Sequence, residues 1–166
     1  MDLLSLMSER YSVRRYQSRP VPQEAVDRIV QAGQLAPTAH NEQPQQIFVV
    51  NSAKGLSLLA KCTVCRYGAP LAFLICYDKD RAWVREYDGK CSGDVDAAIV
   101  TTHMMLEAQS LGLGTTWIMY FIPEAVKTEF TLPENIVPTA ILYAGYADDA
   151  PSAAHRSRRT DNVTRR

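Results

Sequence analysis

The sequence predicts a single domain that contains both helices and strands, and three observations support this prediction. The chain has 166 residues, 46% of them hydrophobic, which is enough for one sizeable core. Residues 94–121 begin as a long apolar helix and continue, after Gly112 and Gly114, into the strand candidate TTWIMY. The run LAFLIC at 71–76 has the fully apolar pattern of a strand that is covered on both faces.

The long helix has few charged positions, and its apolar residues extend around most of its circumference. Such a helix is expected to be buried on several sides, within a large core or between subunits. Glycine adopts the left-handed conformation that ends helices, so Gly112 and Gly114 are expected to stop it. A buried helix, a glycine break and a buried strand bring bare backbone to one point, which we expect to be the floor of a binding site.

Caps and apolar periodicity predict the remaining elements. Helices are expected at 2–9 with Leu3, Leu6 and Met7 inward, between Pro22 and Pro37, at 53–60 after the cap Ser52, from Ser92 or Asp94 to Gly112, and at 123–130. Strands are expected at 47–50 (buried), 71–76, 115–120 and 139–146, with LPENIVP as a turn. Residues 78–92 form either a flap over a site or a solvated excursion.

Composition and charge exclude several classes of protein. The 18 basic and 18 acidic residues balance, so the net charge does not indicate binding to nucleic acid or to an anionic membrane. The N-terminal residues are too polar for a signal peptide, and no apolar run has membrane-spanning length. The 4 cysteines, without a signal sequence, indicate free thiols in a reducing cytoplasm. We therefore expect a cytoplasmic location.

Two basic segments are candidates for binding phosphate. Alternate residues of an extended RYSVRRY segment point the same way, so Arg10, Ser12 and Arg14 would share one face that suits a phosphate. An exposed edge strand explains the same pattern. Residues 155–166 hold 5 arginines against 1 aspartate, and they form either a solvated end or a source of cations for a phosphate.

The polar loop APTAHNEQPQQ offers amides and hydroxyls that could read the edge of a heterocycle, although its composition is also that of an ordinary turn. Cys62 and Cys65 form a CxxC motif, but a structural zinc site needs 4 ligands and no second pair follows at a suitable spacing. A catalytic dithiol would lie between a strand and a helix, whereas this pair follows a helix. Incidental thiols and no metal site are the expectation.

The alternation of strands and helices also suggests a doubly wound parallel sheet, but the nucleotide-binding fingerprint is missing. The GxG at Gly112 follows a helix, so it cannot present a helix N-terminus to a pyrophosphate. Instead, the segments RYSVRRY, LAPTAHNEQPQQIFVV, LGLGTTWIMYF and HRSRR together resemble the FMN-dependent nitroreductase family in order and spacing. The closest resemblance is to the small nitroreductase-like proteins of anaerobic bacteria, which have similar CxxC and DGKxSGDVDA stretches.

The resemblance implies an α+β nitroreductase-like fold with a mixed central β-sheet flanked by helices. It implies an intertwined homodimer in which residues 1–166 form one FMN-binding domain and the tail, 147–166, reaches over the partner. Two FMN sites would lie at the subunit interface, each lined by both chains.

The resemblance also assigns cofactor-binding residues by position. Phosphate and ribityl contacts fall to Arg10, Ser12, Arg14, Arg156 and Arg158. Contacts with the flavin ring fall to Pro37, Thr38 and Ala39 of the partner chain, to Asn41 and Gln43 at the polar rim, and to Trp117, Ile118, Met119 and Tyr120 beside the ring. Met119 departs from the small residue that the family commonly has at its position, and the alignment gives the hypothesis that Cys62 lies near the flavin.

The implied activity is the transfer of hydride from NADH or NADPH, through flavin N5, to an electron-poor acceptor such as a nitroaromatic or a quinone. No side chain need act as an acid or base in the hydride step, so no catalytic residue is predicted. The alternatives are a flavin-binding carrier or electron-transfer protein without turnover, and a structural dimer that has lost the flavin.

Overall fold

A computed structural model describes residues 2–157 and 161–164 of the chain. The helices are α1 (Leu3–Glu9), α2 (Gln23–Gln34), α3 (Ala53–Cys62), α4 (Gly93–Ser110) and α5 (Pro123–Glu129). The strands are β1 (Gln45–Val50), β2 (Leu71–Asp78), β3 (Gly114–Ile118) and β4 (Ile136–Gly145). Short 3₁₀ helices cover Ala39–Asn41 and Ala153–Arg156. The order confirms the predicted α+β class.

The four strands form one sheet in the order β1-β2-β4-β3, and every pair of neighbours is antiparallel. The expectation of a mixed sheet is therefore wrong for these strands. In the described part of the chain, the one parallel pairing is the isolated bridge between Ser12 and Thr115. β2 and β4 occupy the centre, which explains why β2 is buried over almost its whole length.

The sheet is covered on both faces, and alternate residues of its central strands enter two separate apolar clusters. Phe73 and Leu142 belong to the cluster that contains buried residues of α2 and α4, among them Met104. Leu74 and Ile141 belong to the cluster that contains Leu59 of α3 and a buried residue of α5. The result is a layer of helices on each side of one sheet.

Capping residues, proline and glycine in the sequence predicted several helix ends correctly. The Ser52 side chain accepts a hydrogen bond from the Gly55 amide at the start of α3. Pro123 opens α5, where a missing amide hydrogen has no intrahelical partner to lose. Gly112 follows α4 with a φ of 73°.

Other boundaries were predicted wrongly. β4 begins at Ile136 and not at Thr139, because the sheet continues into the segment predicted as a turn. Pro138 lies at a register irregularity opposite Cys76, a position where a strand tolerates the missing amide hydrogen. β3 ends at Ile118 and not at Tyr120. β1 is an edge strand with a single buried residue, Val50, because one side of it lacks a neighbouring strand.

Two helices expose apolar surface that was expected to be inward. In α1 no residue is buried, and Leu3 and Met7 are 60% and 41% exposed, so the predicted inward face of this helix is wrong within one chain. In α4 the face that includes Val100 is fully buried, whereas Val95 is 52% exposed. The expectation that α4 is buried on several sides is therefore not met inside one chain. α1 packs against α4.

In the part of the chain that the structure describes, none of the helices is both long enough and apolar enough to cross a lipid bilayer.

Candidate functional site

The RYSVRRY segment lies along the outer side of β3. The Val13 amide donates to the Thr115 carbonyl at 3.0 Å, and the Thr116 hydroxyl donates to the carbonyl of Val13. Farther along, the Gln17 amide donates to the Tyr146 carbonyl at 2.9 Å. Val13 is completely buried by this pairing, while Ser12 on one side of it is only partly buried and Arg14 on the other is exposed. Backbone pairing therefore fixes the segment and leaves two polar side chains outside the core.

Ser12 and Arg14 line a cavity of about 430 Å³ together with Tyr11, Asp149, Ala150, Ser152 and Ala154. The Arg14 guanidinium donates to the Ser12 carbonyl at 3.3 Å, and among the described residues no carboxylate lies within ion-pair distance of it. A cation without a paired carboxylate, beside a hydroxyl, is suited to an anion such as a phosphate. Arg10 caps the end of α1 and is not part of the cavity lining.

Asp149 places a carboxylate in the same cavity, but that carboxylate is held by the chain itself. It accepts a hydrogen bond from the Arg14 amide at 2.9 Å, and the Tyr11 hydroxyl donates to the Asp149 carbonyl at 2.7 Å. Burial and the nearby Asp149 charge raise the pKa of the Tyr11 phenol. Asp149 therefore fixes the backbone of Arg14 and leaves its guanidinium available.

A second cavity, of about 270 Å³, lies where the end of β3 meets the CxxC loop, and its lining includes Tyr120. The Thr63 hydroxyl donates to the Tyr120 carbonyl at 2.6 Å, and the Ile122 amide donates to the Cys62 carbonyl at 2.8 Å. Met119 and Tyr120 are 72% and 77% exposed at this edge. The CxxC loop therefore anchors the backbone immediately after β3.

The residues predicted at 117–120 do not all face the same way. The Trp117 side chain packs against the α2–α4 cluster, and its Nε1 is buried with no hydrogen-bond partner among the described residues. Ile118 belongs to the opposite cluster, with Val13 and Cys62. Of these four residues, Tyr120 is the one that lines the second cavity.

Tyr67 follows the CxxC motif, two positions after Cys65. The nearby Cys65 and burial raise the pKa of the Tyr67 phenol, while the nearby Arg14 guanidinium lowers it. Arg14, Tyr67 and Cys65 therefore lie together. Cys62 is fully buried and donates to the Leu58 carbonyl at 3.3 Å, and burial raises the pKa of its thiol. We define Ser12, Arg14 and the backbone of 117–120 as the β3-side group.

The predicted residues at 37–43 form a second group, the β1-side group, in the loop before β1. His40, Asn41 and Gln43 have φ values of 51°, 57° and 50°, a left-handed region that residues other than glycine rarely adopt. The Gln43 amide donates to the Thr38 hydroxyl at 3.0 Å, and His40 stacks on Trp83 with ring centroids 5.1 Å apart. Asn41 and Gln43 are exposed, so their side chains are open to a ligand.

The two groups lie at opposite edges of the sheet, because β1 and β3 are its outer strands. Three strand spacings separate these edges by about 14 Å. Within one chain, the structure therefore places Ser12 and Arg14 alongside β3, and it keeps the 37–43 loop apart from them.

Two predicted ligands cannot be placed. Arg158 lies outside the described residues, and of Arg156 only the backbone is described. Reasoning from the sequence missed Asp149, Tyr67 and Asp96. Of these three residues, the sequence could have pointed only to Asp96, because it is a charged residue within the mostly apolar α4. No group of three His, Cys, Asp or Glu side chains within the described residues could hold a metal ion.

Known proteins resemble this chain in sequence and in fold. A structure of a nitroreductase family protein from Clostridium difficile 630 is 42% identical to the chain, covers 94% of it and 90% of its own length, and superposes with a TM-score of 0.90. A Methanothermobacter thermautotrophicus protein, provisionally named NADH dehydrogenase/NAD(P)H nitroreductase, is 31% identical over 91% of this chain and 80% of its own. The Bacillus subtilis FMN reductase [NAD(P)H] is 29% identical over 89% of this chain and 67% of its own.

The family model described as the Nitroreductase family matches residues 7–65 and 66–146, which together make up most of the chain. These matched ranges include the RYSVRRY segment, the loop before β1 and the end of β3. The chain therefore belongs to the nitroreductase family.

Proposed function

We propose that this protein is an FMN-dependent oxidoreductase that uses NADH or NADPH to reduce an electron-poor acceptor, such as a nitroaromatic or a quinone. The observation that carries the proposal is the polar cavity in which the Arg14 guanidinium, without a carboxylate partner among the described residues, lies beside Ser12 in a segment that pairs with β3. The names of the Bacillus subtilis and Methanothermobacter relatives support the cofactor and the reductant.

The donor set of the cavity fits FMN. Arg14 and Ser12 would hold the phosphate and ribityl groups, and the backbone of 117–120 would lie beside the ring. The loop of a partner chain would offer Asn41 and Gln43 to the polar rim. When bound, FMN would supply two-electron chemistry, accepting a hydride at N5 and passing it to the acceptor.

The chain's own contribution is to bind and orient. Arg14 places positive charge where a bound anion would lie, and Tyr67 together with the Asp149 contact to the Arg14 amide holds it there. Thr63 fixes the Tyr120 carbonyl and with it the backbone after β3. None of these residues is required to transfer a proton, in keeping with an activity that depends on positioning.

The proposal includes a homodimer, because one chain separates the two groups of site residues. The exposed apolar residues of α1 and α4 supply a surface for a second copy, with Leu4 77% exposed and Val95 52% exposed. Exposed apolar surface of this kind commonly marks a protein interface. A second copy could bring its β1-side group to the β3-side group of the first.

The test is the visible spectrum of the purified protein, recorded before and after addition of FMN and then of NADH without air. A bound-flavin spectrum that bleaches with NADH, and recovers with an added quinone, is the expected result. Flavin that binds but stays oxidised would instead favour the carrier function, which the bulky Met119 at the end of β3 also favours. Absence of flavin binding would overturn the proposal.

Arg14→Gln should weaken FMN binding about 10- to 100-fold, since charged hydrogen bonds to a phosphate contribute more than neutral ones. The matched control is Arg15→Gln, because Arg15 is the adjacent arginine but pairs with Asp148 at 3.1 Å outside the cavity lining. Fluorescence titration with FMN measures both. Equal losses for the two variants would show that net charge, and not the cavity, binds the phosphate.

A further inference from the structure

Asp96 is a carboxylate buried beneath the loop that contains the β1-side group. Its side chain belongs to α4 and the residue is only 2% exposed. One carboxylate oxygen accepts a hydrogen bond from the Ser92 hydroxyl at 2.6 Å, and the other accepts one from the Ala39 amide at 2.9 Å. Among the described residues no cation pairs with it. Burial of a carboxylate is unfavourable unless hydrogen bonds compensate, so these two contacts account for its presence there.

The loop that Asp96 holds is under conformational strain. Three residues of the 38–43 loop, His40, Asn41 and Gln43, have left-handed backbone angles, and none of them is glycine. Such angles persist only where surrounding contacts enforce them. The Thr38–Gln43 hydrogen bond closes the loop on itself, whereas the Ala39–Asp96 hydrogen bond fastens it to a long helix of the core.

We propose that Asp96 is a positioning residue that fixes the 38–43 loop in the conformation that presents Asn41 and Gln43 to the cofactor. This inference rests on the proposed function, in which that loop contacts the flavin bound to a partner chain. Asp96 itself touches no ligand. It acts through the Ala39 amide.

Three variants separate the hydrogen bond from charge and from burial. Asp96→Ala removes the acceptor for the Ala39 amide. Asp96→Asn removes the negative charge but retains a carbonyl oxygen for that amide, and its NH₂ group can donate to the Ser92 hydroxyl. Thr101→Val is the matched control, because Thr101 is fully buried one turn farther along α4 and its hydroxyl donates within the helix to the Ala97 carbonyl at 2.7 Å.

Two measurements are made on the full chain: hydrogen exchange of the peptide that covers 38–43, and the FMN dissociation constant. Asp96→Ala should speed exchange in that peptide and raise the dissociation constant about tenfold, the loss expected for one buried hydrogen bond. Asp96→Asn should remain close to the wild type in both. Thr101→Val should lower the melting temperature but leave both readouts unchanged.

Unchanged exchange in Asp96→Ala, or an equal effect in Thr101→Val, would overturn the inference. A failure of Asp96→Asn to restore the wild-type exchange would do so as well. If Asp96→Ala does not fold, Ser92→Ala takes its place, since it removes one of the two contacts that hold the carboxylate and should speed exchange at 38–43 to a smaller degree. If the wild type binds no FMN, the proposed function fails, while hydrogen exchange still tests the role of Asp96 in the loop.

Discussion

At two positions, the lack of a β-carbon decides how closely two segments approach. A β-carbon on Gly93 would collide with the ring of Tyr77, and one on Gly114 would collide with the side chain of Val13. Gly93 begins α4, and Gly114 begins the strand along which the RYSVRRY segment lies. Both glycines therefore help to place functional segments. Neither has a positive φ, so backbone conformation does not require glycine at these two positions.

Gly114→Ala should destabilise the protein by roughly 1–3 kcal/mol, the usual effect of inserting a methyl group into a packed site. The new methyl group would push Val13 away from β3 and would strain the hydrogen bond between the Val13 amide and Thr115. Urea unfolding measures the change in the free energy of unfolding.

The control is the double variant Val13→Ala with Gly114→Ala. Removal of the valine methyl groups makes room for the new β-carbon, so the loss in the double variant should be smaller than the sum of the two single losses. If the two single losses in the free energy of unfolding simply add in the double variant, the new alanine side chain does not collide with Val13.

At the scale of elements, the cysteines illustrate how position within an element controls chemistry. Cys62 lies at the end of α3 and Cys76 lies within β2, and both are fully buried. Burial raises the pKa of Cys76 to about 12, and burial with the nearby Glu129 charge raises the pKa of Cys62. Cys65 and Cys91 lie in loops and are only partly buried. The CxxC motif therefore contains two thiols of different accessibility.

We expect Cys65 and Cys91 to react quickly with an aromatic disulfide reagent, and Cys62 and Cys76 to react only after unfolding. The physical reason is that the thiolate is the reactive form and that an apolar environment disfavours it. The absorbance of the thiolate that the reagent releases gives the number of reactive thiols. Its value before denaturant is added counts the accessible thiols, and the increase afterwards counts the buried ones.

Cys65→Ser and Cys62→Ser provide the internal comparison. The first should remove one rapidly reacting thiol, and the second should leave the rapid phase unchanged. A rapid Cys62 in the native protein would contradict the structure and would revive the hypothesis that it is a redox partner of the CxxC motif.

The sequence predicted the type of most elements, because caps and glycines act locally. Ser52 and Pro123 identify the starts of α3 and α5 from their own chemistry. The sheet is different: its strand order and antiparallel pairing depend on contacts between distant segments, and the early start of β4 at Ile136 is imposed by pairing with β2. Similarly, Arg14 was identifiable from spacing, whereas Asp149 contacts it from 135 positions away.

At the scale of the whole molecule, the order of the strands decides how a complete site can be built. β1 and β3 are the two edges of the sheet, so the β1-side and β3-side groups face different sides of one chain. In the proposed homodimer, each chain would complete the site of the other. The apolar residues that α1 and α4 leave exposed are consistent with such an assembly.

Mixed dimers test this arrangement directly. One chain carries Arg14→Gln, and the other carries Asn41→Ala together with Gln43→Ala. If each site takes its β3-side group from one chain and its β1-side group from the other, the mixed dimer has one site with all the changes and one intact site. Co-expression with two affinity tags and purification through both should yield about one tightly bound FMN per dimer, whereas each parent dimer binds FMN weakly at both sites. If both groups served a flavin on the same chain, each site of the mixed dimer would contain one of the defects and no tight site would be recovered.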